Sequence, residues 1–196
     1  MQDPSHLINQ SVAESHRVGA RFFEENKERI VQTASIIAAA LHSGKKILFF
    51  GNGGSAADAQ HLATELTVRY KKDRAAIAAV ALTTDSSALT AAGNDLGFEK
   101  IFARQIEALA RKGDVAVAIS TSGKSANVIA GLKQAKAMGL VTAALGGNDG
   151  GAMPAHADYV LLVPSATTAR IQEMHILLGQ MLCGALEIEL GLISGR

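Results

Sequence analysis

The chain has 196 residues, 48% of them hydrophobic, and no internal linker, so one domain with an ample core is expected. A formal net charge of +1 excludes a strong field for drawing in nucleic acid or an anionic membrane surface. Aromatic residues are only 4% of the chain and tryptophan is absent, which argues against stacking platforms for bases, and the lone Cys183 cannot form an intramolecular disulfide.

The first ten residues, MQDPSHLINQ, lack a basic run followed by an apolar core and are not a secretion signal. No apolar run reaches the roughly 20 residues that span a bilayer. A cytoplasmic location is expected. Residues 1–43 form a helical extension, because Val12, Ala20, Phe23, Ile30, Ala34, Ile37 and Leu41 recur at near-helical spacing. Glu25-Asn26 is expected to break it into two helices. The extension is assigned to oligomerisation, with packing on the domain's own core as the alternative.

Residues 44–196 alternate between strands and helices. Lys46–Phe50 is a buried strand, Ser55–Val68 a helix, and Ala75–Leu82 a second apolar run. Ser86–Ala92 and Phe98–Ala110 are helical. Val115–Ile119 is a strand, and Ser125–Met138 a helix with a Val128, Leu132, Ala135 stripe. Strands follow at Leu140–Leu145 and Tyr159–Val163, and Ala169–Leu190 is a long helix with Ile171, Met174, Leu178 and Leu182 on one side. That side, together with the N-terminal extension, is expected to join subunits. Strands separated by helices imply right-handed crossovers and a parallel sheet covered on both faces. Ligands in such α/β folds lie beyond the carboxyl ends of the strands, at the loops beginning at Gly51, Thr83, Ser120 and Gly146.

Two of these loops suit a phosphate. Gly51-Asn52-Gly53-Gly54-Ser55 joins a strand to a helix, whose start offers unpaired N–H groups to an anion. It also fits G-x-G-x-x-A, but a dinucleotide site needs an acidic residue about 20 positions on. Asp85 is 34 residues after Gly51, too far. Ser120-Thr121-Ser122-Gly123-Lys124-Ser125 places four hydroxyls at another strand-to-helix turn, all able to donate to phosphate oxygens. Helix capping explains one of these serines but not the cluster.

His61 and Glu65 are four residues apart on one helix face, as an acid–base or ligand pair or as an ordinary surface pair. Gln172 and Gln180, eight apart on the last helix, share a face too, and an amide pair or an interhelix contact would equally account for them.

Four blocks carry a resemblance: GNGGSAADAQH at 51–61, GND at 93–95, ISTSGKSANV at 119–128 and TARIQEMH at 168–175. They are similar, in order and interval, to the phosphoheptose isomerases of the sugar isomerase (SIS) family. The resemblance implies a single three-layer SIS domain with an N-terminal helical extension. It implies conversion of sedoheptulose 7-phosphate to D-glycero-D-manno-heptose 7-phosphate through an enediol, feeding activated heptoses for cell-envelope glycoconjugates. It implies a homotetramer whose sites lie across a subunit interface. Carried over by position, Asn52, Gly53, Gly54, Ser55, Glu65, Asn94, Asp95, Ser120, Thr121, Ser122, Ser125 and Gln172 touch substrate, and Glu65 is the base. His61, Glu65, Gln172 and the residue at 180 hold one zinc ion (Zn2+) per subunit.

One position departs from the family. Gln180 stands where the resemblance places a catalytic histidine. An amide cannot deliver a proton at neutral pH and is a poorer zinc ligand than imidazole. His175 lies about 140° around the helix from Gln180 and is no obvious substitute. Two alternatives follow from Gln180: a non-catalytic SIS tetramer that binds a protein partner such as the bacterial replication initiator, or a histidine-to-glutamine variant made to trap substrate.

Overall fold

Five short apolar runs pair side by side in a parallel sheet of order β2-β1-β3-β4-β5. The computed structural model describes residues 3–193. The strands are β1 (Ile47–Gly51), β2 (Ala79–Ala81), β3 (Val115–Ser120), β4 (Val141–Gly147) and β5 (Tyr159–Val163). The helices are α1 (Pro4–His42), α2 (Gly54–Thr67), α3 (Ser86–Asp95), α4 (Ile101–Leu109), α5 (Ala126–Ala137) and α6 (Thr168–Glu189).

Side chains alternate across a strand, so each strand feeds two cores. Ile47, Phe49, Val115, Val117, Ile119, Ala143 and Leu145 face α1, α2 and α6. Leu48, Phe50, Ala116, Ala118 and Ala144 face α3, α4 and α5. The two apolar layers enclose the sheet, which is why β1 and β3 are buried along their whole length. The chain passes from β1 outward to β2 and then returns to β3 on the other side of β1. That reversal opens a crevice beyond the carboxyl ends of β1 and β3, where the glycine and serine loops begin.

Four expectations are corrected. Glu25-Asn26 breaks nothing: α1 is one helix of 39 residues. Asn26 is buried and its Nδ2 donates to the Phe22 carbonyl at 2.9 Å, while Glu25 pairs with Arg21 at 2.8 Å one turn back, so both residues work inside the helix. From Val18 onward α1 lies on the domain's own core, and Leu7, Ile8 and Val12 remain exposed. The run Ala75–Leu82 pairs only at Ala79–Ala81, and Phe98–Lys100 is a 3-10 turn ahead of α4. The side of α6 bearing Ile171, Met174, Leu178 and Leu182 is buried within this chain and cannot meet another subunit. Leu177, Met181 and Ile188 are the exposed apolar residues of α6. Among the described residues no helix is long and apolar enough to cross a membrane.

Candidate active site

The glycine loop is held against β3. A Cβ at Gly51 would lie 2.6 Å from the Ile119 carbonyl oxygen, so only glycine lets the loop leave β1 this closely. Gly53, with φ of 55°, caps α2; the Ser55 N–H donates to the Asn52 carbonyl and the Ala56 N–H to the Gly53 carbonyl, both at 3.0 Å, so the helix start offers the crevice chiefly its positive dipole end. Asn52 and Asn127 exchange two hydrogen bonds of 2.8 Å each, and the Asn127 Oδ1 also accepts from the Val128 N–H. Asn127 is buried and ties the two loops together. The Asn52 amide is thereby committed, leaving its second N–H and its backbone for a ligand. Asn127 lies inside the second loop's motif, but nothing in its spacing marks it as the partner of Asn52.

In the serine loop each hydroxyl has a distinct state. Ser120 is buried and its Oγ accepts from the Gly123 N–H at 3.2 Å, with Ser125 Oγ 3.5 Å away. Ser122 Oγ accepts from the Lys124 N–H. Ser125 occupies the N-cap position of α5 but makes no capping hydrogen bond, so its hydroxyl is available. Thr121, Ser122 and Lys124 line a cleft of about 220 Å³ with Asn148, Ser165 and Thr168. The last three residues were not anticipated from sequence. Asn148, at φ of 53°, is the one left-handed residue other than glycine among those described. Its conformation, not its motif, is what sets it apart.

Gln172 reaches this end of the molecule: a Cβ on Gly54 would meet its Nε2 at 2.5 Å. Asn94 and Asp95 do not join the cleft within one chain. They are exposed at the end of α3, where the Asn94 amide donates to the Asp95 carboxylate at 2.7 Å. Asp95 lines a separate groove of about 480 Å³ with Asp85 and Arg104.

His61 Nε2 and Glu65 Oε1 are 2.9 Å apart on α2. Glu65 is ten residues past Ser55, about 15 Å along the helix at 1.5 Å per residue. α6 runs beside α2. Gly179 packs so closely on Leu62 that a Cβ there would lie 2.5 Å from its methyls. Farther along, burial, then the nearby charges of Glu65 and Glu187, push the Cys183 thiol up to about 12. Gln180, next to Gly179, therefore sits at the level of His61 and Glu65. Asp58, one turn earlier on α2, is raised by burial, against the opposing pull of His61.

The donors for zinc are incomplete. His61 and Glu65 are sound ligands, but among the described residues no group of three His, Cys, Asp or Glu side chains could hold a metal ion. Gln172 and Gln180 add only amides, about 12 Å apart along α6. These residues of one chain do not fit a tetrahedral zinc centre.

His175 is not a substitute acid. It is fully buried, and its Nε2 meets the Gly146 carbonyl at 3.1 Å, which fixes the tautomer with Nε2 as donor. Burial lowers its pKa to about 4, with the bond to Gly146 opposing, so the ring is neutral and pins α6 to the end of β4.

The SIS domain family model matches residues 11–147. The chain is 56% identical over 174 residues to the phosphoheptose isomerase of Aquifex aeolicus (strain VF5), covering 89% of this chain and 91% of that protein. The structure of a phosphoheptose isomerase from Neisseria gonorrhoeae superposes with a TM-score of 0.90 at 46% identity, over 95% of this chain and all of that one. A phosphoheptose isomerase from Francisella tularensis gives 0.93 at 33% identity, again over 95% of this chain and all of the other.

Proposed function

The chain belongs to the phosphoheptose isomerases of the SIS domain family, and from that footing we propose that it is an enzyme converting sedoheptulose 7-phosphate to D-glycero-D-manno-heptose 7-phosphate. The observation that carries this reading is the Ser125 hydroxyl at the start of α5, which caps nothing and meets only the Ser120 Oγ at 3.5 Å, in a loop tied by Asn127 and Asn52 to the N-terminus of α2. Two helix starts and a hydroxyl cluster at one crevice favour a phosphate dianion.

Ketose-to-aldose conversion moves one proton from C1 to C2, while the O2 carbonyl becomes a hydroxyl and the O1 hydroxyl becomes a carbonyl. With the phosphate held in the crevice, Glu65 takes the C1 proton to give the enediol and returns it at C2. His61, hydrogen-bonded to Glu65, orients the carboxylate. Gln180 can donate a hydrogen bond to a substrate oxygen but cannot transfer a proton at neutral pH. The proton on the oxygens must then travel by a slower route. Fixing the sugar by its phosphate supplies orientation, worth several kcal/mol of barrier.

The separation of about 15 Å along α2 between the glycine loop and Glu65 supports a site completed by a second copy of the chain. Exposed Leu177 and Met181, flanking Gln180, give a neighbour apolar surface to cover. A homotetramer is the proposed assembly. Were a second copy to supply the missing donors, His61 and Glu65 would hold part of a zinc centre, and the metal would supply Lewis-acid polarisation of the carbonyl.

The test is turnover of sedoheptulose 7-phosphate by the chain and by Glu65→Gln, with metal analysis of the same samples. A fall in kcat of about 10²–10⁴-fold on Glu65→Gln, to a residual rate, with substrate binding retained, is expected. Equal turnover of both forms would remove Glu65 as the base.

A further inference from the structure

A fully buried ion pair joins α2 to α6 at the level of Glu65. The Arg74 side chain, from the loop after α2, is 1% exposed, and that of Glu187, on α6, is 0% exposed. Arg74 Nε donates to Glu187 Oε1 at 2.9 Å, and the same oxygen accepts from the Tyr70 N–H. The rest of the guanidinium turns to the end of α2. Nη2 donates to the Glu65 carbonyl at 2.7 Å, and Nη1 to the Leu66 carbonyl at 2.7 Å and the Ala75 carbonyl at 3.0 Å.

α2 has no basic residue in its own last turn. Its negative dipole end and the Glu65 carbonyl are served by this guanidinium instead, while the Leu66 carbonyl also accepts from the Ile77 N–H at 3.0 Å. Stability alone is a poor account of the arrangement, because a buried ion pair loses much of its attraction to desolvation and apolar residues often pack as well. The pair does something apolar residues cannot: it grips the backbone of Glu65 by name and bolts it to α6. Glu187 follows Gln180 by seven residues, two turns, on the same face of α6. The grip therefore sets Glu65 against the position from which an acid would work.

We infer that Arg74 is a positioning residue for the isomerisation, with Glu187 as its anchor, the two fixing where the Glu65 carboxylate stands relative to α6. This rests on Glu65 being the base. The phosphate-binding loops lie at the other end of α2 and are untouched by it.

Four proteins test the inference: the parent, Glu65→Gln, the double variant Arg74→Met/Glu187→Met, and the triple combination. The double variant removes both charges together, so neither is stranded. It is expected to melt close to the parent and to keep KM within about twofold, while kcat falls by about tenfold or more. In the Glu65→Gln background the same two substitutions should change residual kcat less than about twofold, since a misplaced glutamine has no catalysis to lose. Unchanged kcat in the double variant overturns the inference. So does an equal loss in both backgrounds, which marks a general structural effect and leaves Glu65 as the base. Full activity of Glu65→Gln overturns the base assignment and the inference with it. Should the double variant fail to fold, Arg74→Lys carries the same comparison. Lysine keeps the charge on Glu187 but lacks the fork that holds both carbonyls. A kcat loss confined to the Glu65 background supports the inference, and full kcat refutes it.

Discussion

Ser125→Ala separates the two roles open to a serine at a helix start. Ser125 precedes α5 in extended backbone yet its hydroxyl caps nothing. Were it a cap, its loss would cost about 0.5–2 kcal/mol of stability. As an unoccupied donor it should cost almost none. If it binds phosphate, the same change removes a hydrogen bond to a charged group, about 1.5–3 kcal/mol, which is roughly a 10- to 150-fold rise in Kd. Ser120→Ala should behave differently. Ser120 Oγ accepts from the Gly123 N–H in a buried turn, so its loss should destabilise by about 1–3 kcal/mol as well as weaken binding. For a chain of this size that is a fall in Tm of a few degrees or more. Calorimetry with sedoheptulose 7-phosphate and thermal melts on both variants measure the two quantities side by side. A Ser125→Ala protein with parental affinity, or one that loses stability while binding is unchanged, would refute the reasoning and return the residue to capping.

Gln180→His should raise turnover at least tenfold with little change in KM, since general acid catalysis is typically worth about 10²–10⁴-fold. It should also tighten zinc in a metal titration by adding an imidazole to His61 and Glu65. If the parent already turns over freely and the substitution changes nothing, another group delivers the proton. If neither form is active, the binding-protein alternative gains. Light scattering at micromolar concentration should give four times the mass of one chain, and a monomer would leave Glu65 without a site. His175 titrates near 4 when folded against an ordinary 6.5. The unfolded chain therefore binds the extra proton between those values, and stability falls as pH drops from about 6.5 to about 4. The full effect is about 3 kcal/mol, and His175→Gln should flatten that part of the stability profile in denaturant titrations.

The order of strands and helices, and the two strand-to-helix loops that carry the glycine and serine clusters, were legible because they depend on local chemistry. Apolar runs of strand length, helical spacing and clustered glycine or hydroxyl residues are short-range signals. The blocks at 51–61 and 119–128 likewise carried the family relation. What failed were particular judgements about which side chains are covered, and by what. Glu25-Asn26 was expected to break the helix, yet burial of Asn26 and its bond to the Phe22 carbonyl hold it in α1. The Ile171, Met174, Leu178 and Leu182 stripe was apolar as expected, but periodicity cannot say whether a stripe meets its own sheet or a neighbour. Ser125 occupied a capping position without capping. Asn52 with Asn127, and Arg74 with Glu187, are partners 75 and 113 residues apart in the chain. Sequence alone determined which segments become strands and helices and where the glycine and hydroxyl clusters fall between them, because each is decided within a few neighbouring residues. Only the tertiary structure decided which loops are locked to one another and which guanidinium holds the Glu65 carbonyl, because those depend on atoms brought within 3 Å by the folding of the whole sheet.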